Sequence, residues 1–416
     1  MKVEIVSVGT ELLMGQIANT DAQYIASRLG EVGMDSFFQQ TVGDNQARLL
    51  QTIDLAASRS DIVVLTGGLG PTPDDLTKET LAKYLDLPLR EDPASRQAME
   101  AWMRGRGRQI TPNNYQQVAF PQGAQIFPNE RGTAPGFALE KDGKRFVVLP
   151  GPPNELTHMV DRSLMPYLQG LTGEKIVSRT LKFFGIGESA LAYALDELLQ
   201  GQDRVTVAPY AGLGEVSLRL SVKLLEGEEA APLLDPVEQK IRDVAGQYLY
   251  EVGKRSLPEV VGGLLLEKGC TLALAESCTG GMIANELVAL PGISAALLEG
   301  VVCYSNQAKR HRLGVSEETL QQEGAVSRAC ALEMAQGERR ASGADYALSV
   351  TGIAGPDGGT EQKPVGLVYV GLAGPEGSAV RELRLGGDRQ RIRRLSMLNA
   401  LDLLRRALLG QALQDA

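Results

Sequence analysis

The sequence predicts an α/β protein in three parts: a doubly wound N-terminal domain, a small α+β middle module and an α/β C-terminal domain. Three observations carry this expectation. Strand-like apolar runs alternate with helix-like periodic segments through the first third of the chain. Over residues 216–224, Val216, Leu218, Leu220, Val222 and Leu224 alternate strictly with Ser217, Arg219, Ser221 and Lys223, the period of a strand with one wet face. From about residue 257 the composition turns rich in Gly and Ala, and strand-like runs there lead into polar loops. At 416 residues the chain is also too long for one compact core.

Taken in order, residues 3–8 read as a buried strand that ends at Gly9. Asn19 then caps a helix to about Leu29, with Ala22, Ile25, Ala26 and Leu29 at helical spacing. A strand near 36–42, a helix near 46–58 and a short apolar strand at 62–65 follow. That strand opens into the loop Thr66-Gly67-Gly68-Leu69-Gly70-Pro71-Thr72-Pro73-Asp74-Asp75, with a helix beyond it. Residues 137–140 and 145–149, joined across Lys141-Asp142-Gly143-Lys144, read as a hairpin with an Asp-Gly turn. In the middle module, helices at 188–199 and 236–247 accompany the alternating strand. The last third reads as strands at 271–275, 300–303, 347–350 and 365–372, a helix at 282–289, and a final helix at 388–409. That helix turns Ile392, Leu395, Leu398, Leu401 and Leu408 to a core.

Bulk composition narrows the chemistry. The net charge of −9 argues against a nucleic-acid sleeve, which needs a basic face. No N-terminal stretch resembles a signal peptide, and no apolar run approaches the about 20 residues that cross a bilayer. A cytoplasmic location, with neither membrane nor nucleic acid as partner, is the expectation. Cys270, Cys278, Cys303 and Cys330 all fall in the last third without CxxC spacing, so neither a zinc pattern nor a disulfide framework is present. With only two histidines, His158 and His311, histidine metal clusters and most His-driven triads are hard to build. Hydrolytic chemistry would rest on carboxylates, Lys, Tyr, Ser or Cys.

In the last third, Ala273-Leu274-Ala275-Glu276-Ser277-Cys278-Thr279-Gly280-Gly281 is a strand, a tight polar turn and a helix start. Such a turn presents a side chain at the top of a sheet and aims backbone N–H groups outward; alternatively, Ser277 or Thr279 simply caps the helix. Two further strand ends lead into Tyr304-Ser305-Asn306-Gln307-Ala308-Lys309 and Thr351-Gly352-Ile353-Ala354-Gly355-Pro356-Asp357-Gly358-Gly359. Strand ends of this kind are where open α/β sheets collect ligands. Arg389 opens the final helix, where it opposes the helix dipole; it either meets an anion or is simply solvated.

The motifs AESCTGG, YSNQAK, TGIAGPDGG with the following KPVG, and GDR, in this order, resemble the nicotinamide mononucleotide deamidase domain of the CinA (competence/damage-inducible protein) family. The resemblance implies a domain over 254–416 that is a serine–lysine amidohydrolase needing no cofactor. It implies Ser277 as nucleophile and Lys309 as general base, with Tyr304 and Thr351 in support. Substrate or phosphate contacts are implied for Thr279, Gly280, Gly281, Gly352, Gly355 and Arg389. A lysine base needs a depressed pKa, from neighbouring Arg310 and Arg312 or from burial. Cys278 is the rival nucleophile, since a thiol at a helix N-terminus ionises easily, but it lacks a His partner.

In the first third, Thr66, Gly67, Gly68 and Gly70 form a loop that can wrap a phosphate, though it is neither a Walker A nor a dinucleotide fingerprint. Asp74 and Asp75 follow it, with Asp44, Glu11 and Glu155 in other loops. These carboxylates form a candidate divalent-metal site, and capping is the alternative for one of the Asp pair. GTELLMGQIANTDAQYI, TGGLGPTPDDLTKE and LPGPPNE resemble the N-terminal domain of the same family, which shares the molybdopterin-binding fold, over residues 1–170. This resemblance implies metal-dependent hydrolysis of ADP-ribose to AMP and ribose 5-phosphate, with Mg²⁺ or Co²⁺ and K⁺ as an optional companion. Asp75 falls where related cofactor-synthesis enzymes carry an essential Asp. Residues 171–253 resemble the family's KH-like linker. The whole implies a homodimeric, bifunctional hydrolase of pyridine-nucleotide recycling. Two expectations compete with it: an N-terminal head that only binds a pterin or nucleotide, and a DNA-uptake adaptor, against which the acidic charge speaks.

Overall fold

The computed structural model describes residues 1–172, 175–201, 204–225, 227–411 and 413. They form two compact units, residues 1–178 with 221–232, and residues 179–220 with 233–416. Among the described residues no helix is long and apolar enough to cross a membrane.

The first unit is built on strands β1 (Lys2–Val8), β2 (Asp35–Val42), β3 (Ile62–Thr66), β4 (Gln125–Phe127), β5 (Gly136–Lys141) and β6 (Lys144–Leu149) in the order β2-β1-β3-β6-β5-β4. The pairs β1–β2, β1–β3 and β3–β6 are parallel. Both faces of β1 and β3 are covered, so neither strand shows a wet alternation: β3 is apolar up to Thr66, and β1 buries Glu4 and Ser7 along with its valines and isoleucine. Ile5 and Ile62 face one core with Ile25, while Val6 and Leu65 face another with Leu49 and Ile53. The helices α1 (Thr20–Leu29) and α2 (Gln46–Arg59) begin where sequence chemistry places them. Asn19 accepts from the Ala22 N–H at 3.1 Å, and Asn45 accepts from the Arg48 N–H at 3.1 Å. A further helix, α3 (Thr77–Tyr84), follows the glycine loop.

The sheet is mixed rather than wholly parallel. The Asp-Gly hairpin folds β5 antiparallel onto β6, with Asp142 (φ 50°) and Gly143 (φ 73°) both left-handed, and β4 extends the sheet antiparallel to β5. The parallel strands all end at one edge. The loops that start at Gly9, Gly43, Gly67 and Pro150 therefore gather there.

A four-stranded sheet of β7 (Lys175–Phe184), β8 (Val205–Ala211), β9 (Glu215–Leu224) and β10 (Leu249–Val252) has the order β8-β9-β7-β10. Strand β9 alternates as its sequence dictates, burying Val216, Leu218, Leu220, Val222 and Leu224. The helix expected over 188–199 is instead two short ones, Glu188–Ala194 and Asp196–Gln200. Leu195 separates them with non-helical angles and a buried side chain.

The C-terminal sheet runs β12-β11-β13-β14-β15, with β11 (Leu272–Glu276), β12 (Leu297–Val302), β13 (Tyr346–Gly352), β14 (Leu367–Gly374) and β15 (Gly377–Arg384). Strand β11 is an interior strand, parallel to both neighbours and buried along its whole length. Helices α4 (Leu257–Lys268), α5 (Met282–Val288), α6 (Asn306–Leu313), α7 (Arg328–Ser342) and α8 (Arg389–Leu408) accompany it. Asp388 caps α8 by accepting from the Arg391 N–H at 2.8 Å. Ile392, Leu398, Leu401 and Leu408 of that helix are buried, while Leu395 is only half-buried. Strands β11, β12 and β13 end at the same edge, which brings the loops beginning at Ser277, Cys303 and Ile353 together.

Candidate functional site

At that C-terminal edge a cavity of about 250 Å³ is lined by Ser277, Tyr304, Lys309, Thr351, Gly352, Gly355 and Arg389, all singled out by the sequence. Lys309 lies on α6, whose first turn is capped by Ser305 accepting from the Ala308 N–H at 3.1 Å. The lysine side chain is 1% exposed. Its Nζ stands 3.0 Å from Ser277 Oγ, 2.9 Å from the Cys303 carbonyl and 3.2 Å from the Tyr304 carbonyl. Burial disfavours the ammonium and lowers the Lys309 pKa; the nearby thiols act weakly the other way. Burial is therefore the cause, and the expected contribution of Arg310 and Arg312 is absent from it: Arg310 pairs with Glu317 at 2.9 Å.

The same physics disfavours the rival nucleophile. Cys278 is buried, and desolvation pushes its thiol up to about 11, outweighing the backbone N–H groups and the cations Lys309 and Arg393. Arg389 reaches two of the loops at this edge. Its Nη1 donates to the Gly355 carbonyl at 2.6 Å and its Nη2 to the Tyr304 hydroxyl at 3.1 Å. The guanidinium thus joins two of the three loops at the cavity mouth, beside a largely exposed tyrosine.

Some of the expected residues lie outside the cavity or are engaged elsewhere. Thr279, Gly280 and Gly281 do not line the cavity. The Thr279 side chain is fully buried, and the Gly281 N–H donates to Glu276 at 3.0 Å. Thr351 does line the cavity, yet its hydroxyl donates to the Ala325 carbonyl at 2.7 Å, which makes it a tie between loops. Sequence reading also missed Ala325, Val326 and Asp357 in the lining. The first two come from the segment between α6 and α7 and carry no polar signal; Asp357 lay inside a quoted motif.

The N-terminal edge holds a larger cleft of about 550 Å³, lined by Thr66, Gly67, Gly68, Gly70 and by Glu11, Asp44, Asp74, Asp75 and Glu155. All five expected carboxylates reach one cleft, but several are already hydrogen-bonded. Asp75 Oδ2 accepts from the Thr72 N–H at 2.9 Å and from its hydroxyl at 2.5 Å, closing the turn. Asp44 accepts from the Thr10 N–H and hydroxyl at 2.9 and 2.8 Å, and Glu155 from Asn129 at 2.6 Å. Among the described residues no three His, Cys, Asp or Glu side chains gather as a ligand cage. The donor set suits a hard cation that takes one or two carboxylates and completes its shell from ligand phosphates and water. It does not suit an all-protein site.

The glycine loop is shaped by close approach. A Cβ at Gly67 (φ 92°) would come within 2.2 Å of the Val8 carbonyl oxygen. The Gly67 N–H donates to the Leu149 carbonyl at 3.1 Å, so this particular N–H is not available to a phosphate. Asp21, which sequence reading passed over, lines the cleft as well. Its Oδ2 accepts from Thr66 at 3.3 Å, while its buried Oδ1 has no partner, and desolvation raises its pKa to about 6.

Known proteins place this arrangement. Residues 4–170 match the profile described as "Probable molybdopterin binding domain", residues 178–250 that of the "Damage-inducible protein CinA KH domain", and residues 254–408 that of the "CinA C-terminal domain". A protein of Caldanaerobacter subterraneus, named as a competence-damage inducible protein, is 50% identical over 411 residues, 99% of each chain. The chain belongs to the CinA family.

A CinA-like protein of Kosmotoga olearia is 47% identical over 409 residues, 98% of this chain and 99% of the relative. Among solved structures, the competence/damage inducible protein CihA from Agrobacterium tumefaciens is 44% identical. It covers 37% of this chain and 93% of its own, with a TM-score of 0.36. In this CinA-family chain the molybdopterin-binding and CinA C-terminal domains each carry one of the two clefts.

Proposed function

We propose that the C-terminal domain is a serine–lysine amidohydrolase that converts nicotinamide mononucleotide and water to nicotinate mononucleotide and ammonia. The observation that carries this reading is the buried 3.0 Å contact between Lys309 Nζ and Ser277 Oγ. A neutral amine has two N–H bonds and one lone pair. The Cys303 and Tyr304 carbonyls can only accept, so they take the two N–H bonds and leave the lone pair for the Ser277 hydroxyl proton. Lys309 would remove that proton as Ser277 Oγ attacks the amide carbon, then pass it to the departing amine, which leaves as ammonia. Water would open the acyl-enzyme with Lys309 again as base, giving the free carboxylate. Arg389, whose guanidinium matches a phosphate fork, would hold the nucleotide end at the mouth with Tyr304 beside it. The test is ammonia release from nicotinamide mononucleotide by wild type, Ser277→Ala and Lys309→Ala. Wild-type rates in either folded variant would remove the assignment.

The N-terminal head, in the same proposal, hydrolyses ADP-ribose to AMP and ribose 5-phosphate. Its support is the cleft volume and the carboxylates on its walls. A divalent cation bound there, with Asp75, Asp74, Asp44, Glu11 and Glu155 as candidate ligands, would supply charge neutralisation of the diphosphate. A second reading, a pterin- or nucleotide-binding module without catalysis, is favoured by the ties that Thr10, Thr72 and Asn129 already make to those carboxylates. Turnover of ADP-ribose with added Mg²⁺ or Co²⁺ separates the two.

A further inference from the structure

The turn that carries Ser277 is gripped from two sides. On one side Glu276, 1% exposed, folds its carboxylate over the start of α5. Its Oε2 accepts from the N–H groups of Gly281 at 3.0 Å and Ile283 at 3.2 Å, and its Oε1 accepts from Ala284 at 3.0 Å. On the other side Arg393, one turn into α8, reaches across to the same turn. Its Nε donates to the Cys278 carbonyl at 3.0 Å and its Nη2 to the Thr279 carbonyl at 2.6 Å. Neither residue lines the substrate cavity.

We propose that Arg393 is a positioning residue of the amidohydrolase site, holding the peptide planes that follow Ser277 so that the nucleophile and the backbone N–H groups beside it keep their aim. The inference rests on the amidohydrolase reading above and deepens it. A trans peptide is planar, so a carbonyl held at its oxygen fixes the N–H on the other side of the same plane. Through the Cys278 carbonyl, Arg393 fixes the Thr279 N–H. Through the Thr279 carbonyl it fixes the Gly280 N–H, which donates to the Ser277 carbonyl at 3.1 Å and closes the turn. The turn needs such a hold because Gly280 (φ 61°) and Gly281 (φ 89°) are both left-handed and intrinsically permissive. It matters chemically because Glu276 already occupies N–H groups of the first turn of α5. Oxyanion donation then falls to the N–H of Cys278, as in other hydrolases where the residue after the serine serves, and its peptide plane is held in turn by the Gly280 N–H on the Ser277 carbonyl.

The experiment compares wild type, Arg393→Met and Arg393→Lys in the full-length chain. It reads kcat and KM for ammonia release from nicotinamide mononucleotide, and the rate at which Ser277 is labelled by a fluorophosphonate. Thermal midpoints confirm that each variant is folded. The expected result for Arg393→Met is a fall of about 10²-fold in kcat with KM little changed, since a nucleophile turned by an ångström loses that much without touching substrate affinity. Labelling should slow in parallel, and Arg393→Lys, able to hold one carbonyl, should fall in between. A wild type that is labelled at Ser277 but releases no ammonia from this nucleotide would end the substrate assignment; slowed labelling in Arg393→Met would then still uphold the positioning role. Wild-type kcat and labelling in either folded variant would overturn it, as would a loss that appears in KM alone or a wild-type Ser277 that resists the label.

Discussion

Both clefts lie at the C-terminal edge of parallel strands, and each was marked in the sequence by glycine-rich loops, yet they are finished differently. In the C-terminal domain the polar groups converge. An amine and a hydroxyl are 3.0 Å apart with the amine out of water, and the cavity is small. In the N-terminal domain the cleft is about twice as large, and Asp44, Asp75 and Glu155 each bond to a neighbour on their own wall. The first arrangement can move a proton with its own atoms. The second offers a charged bowl whose chemistry depends on what it binds. Desolvation makes the C-terminal side of the contrast: it destabilises the ammonium of Lys309 and lowers its pKa.

The comparison breaks most simply at the nucleophile. Ser277→Ala and Lys309→Ala should each lower ammonia release by about 10³-fold or more while ADP-ribose cleavage is unchanged, because acyl transfer fails without either partner. Parallel loss of both activities would mean that the sites are not independent. Next in size, Asp75→Asn should lower metal-dependent ADP-ribose turnover by about 10²-fold and leave ammonia release untouched. Unchanged turnover in that variant would leave the Thr72 turn as the whole role of Asp75.

The titrations sharpen the contrast with smaller effects. Amidohydrolase activity should rise with pH through a group below the ordinary lysine value of 10.5, since the base works only when neutral. The same shift has a stability sign. In the window between the lowered pKa and 10.5 the unfolded chain binds the extra proton. Wild type should therefore gain on Lys309→Met as pH rises through it, by on the order of 1 kcal/mol per unit of lowering; denaturant melts across that range read the difference, and a flat difference would contradict the burial argument. In the N-terminal unit the sign reverses. Asp21, raised to about 6, supports folding in its protonated form, and that support fades as pH climbs from about 4 through 6. Asp21→Asn should thus be relatively more stable than wild type at pH 7 than at pH 4, on the order of 1–2 kcal/mol. The fluorescence of Trp102, the chain's one tryptophan, reports that unit.

Much of the fold was legible where one physical rule acts locally. Asn19, Asn45 and Asp388 cap the helices they precede, Asp142-Gly143 makes its turn, and β9 alternates as written. Legibility failed where neighbours decide. Strand β15 is half-buried along most of its length and lacks the apolar run of a central strand. The break at Leu195 interrupts a segment whose spacing reads as one helix. The C-terminal site followed the same division. Ser277, Lys309, Tyr304 and Arg389 were visible as residue types at strand and helix ends, whereas Glu276 and Arg393 gave no hint of their grip on the turn.

By itself, then, the sequence determined the α/β framework, the two strand edges at which loops gather, and which nucleophile and amine were on offer. Tertiary structure alone decided which of them matter. It buried Lys309 against two carbonyls, which lowers its pKa, and it sank Cys278 so that desolvation pushes its thiol up to about 11. It also buried Thr279, tied the Thr351 hydroxyl into the scaffold and brought Arg393 to a turn more than a hundred positions away. The reason is physical: which types of side chain are present is local information, but the water each one loses and the partner each one meets depend on segments distant along the chain.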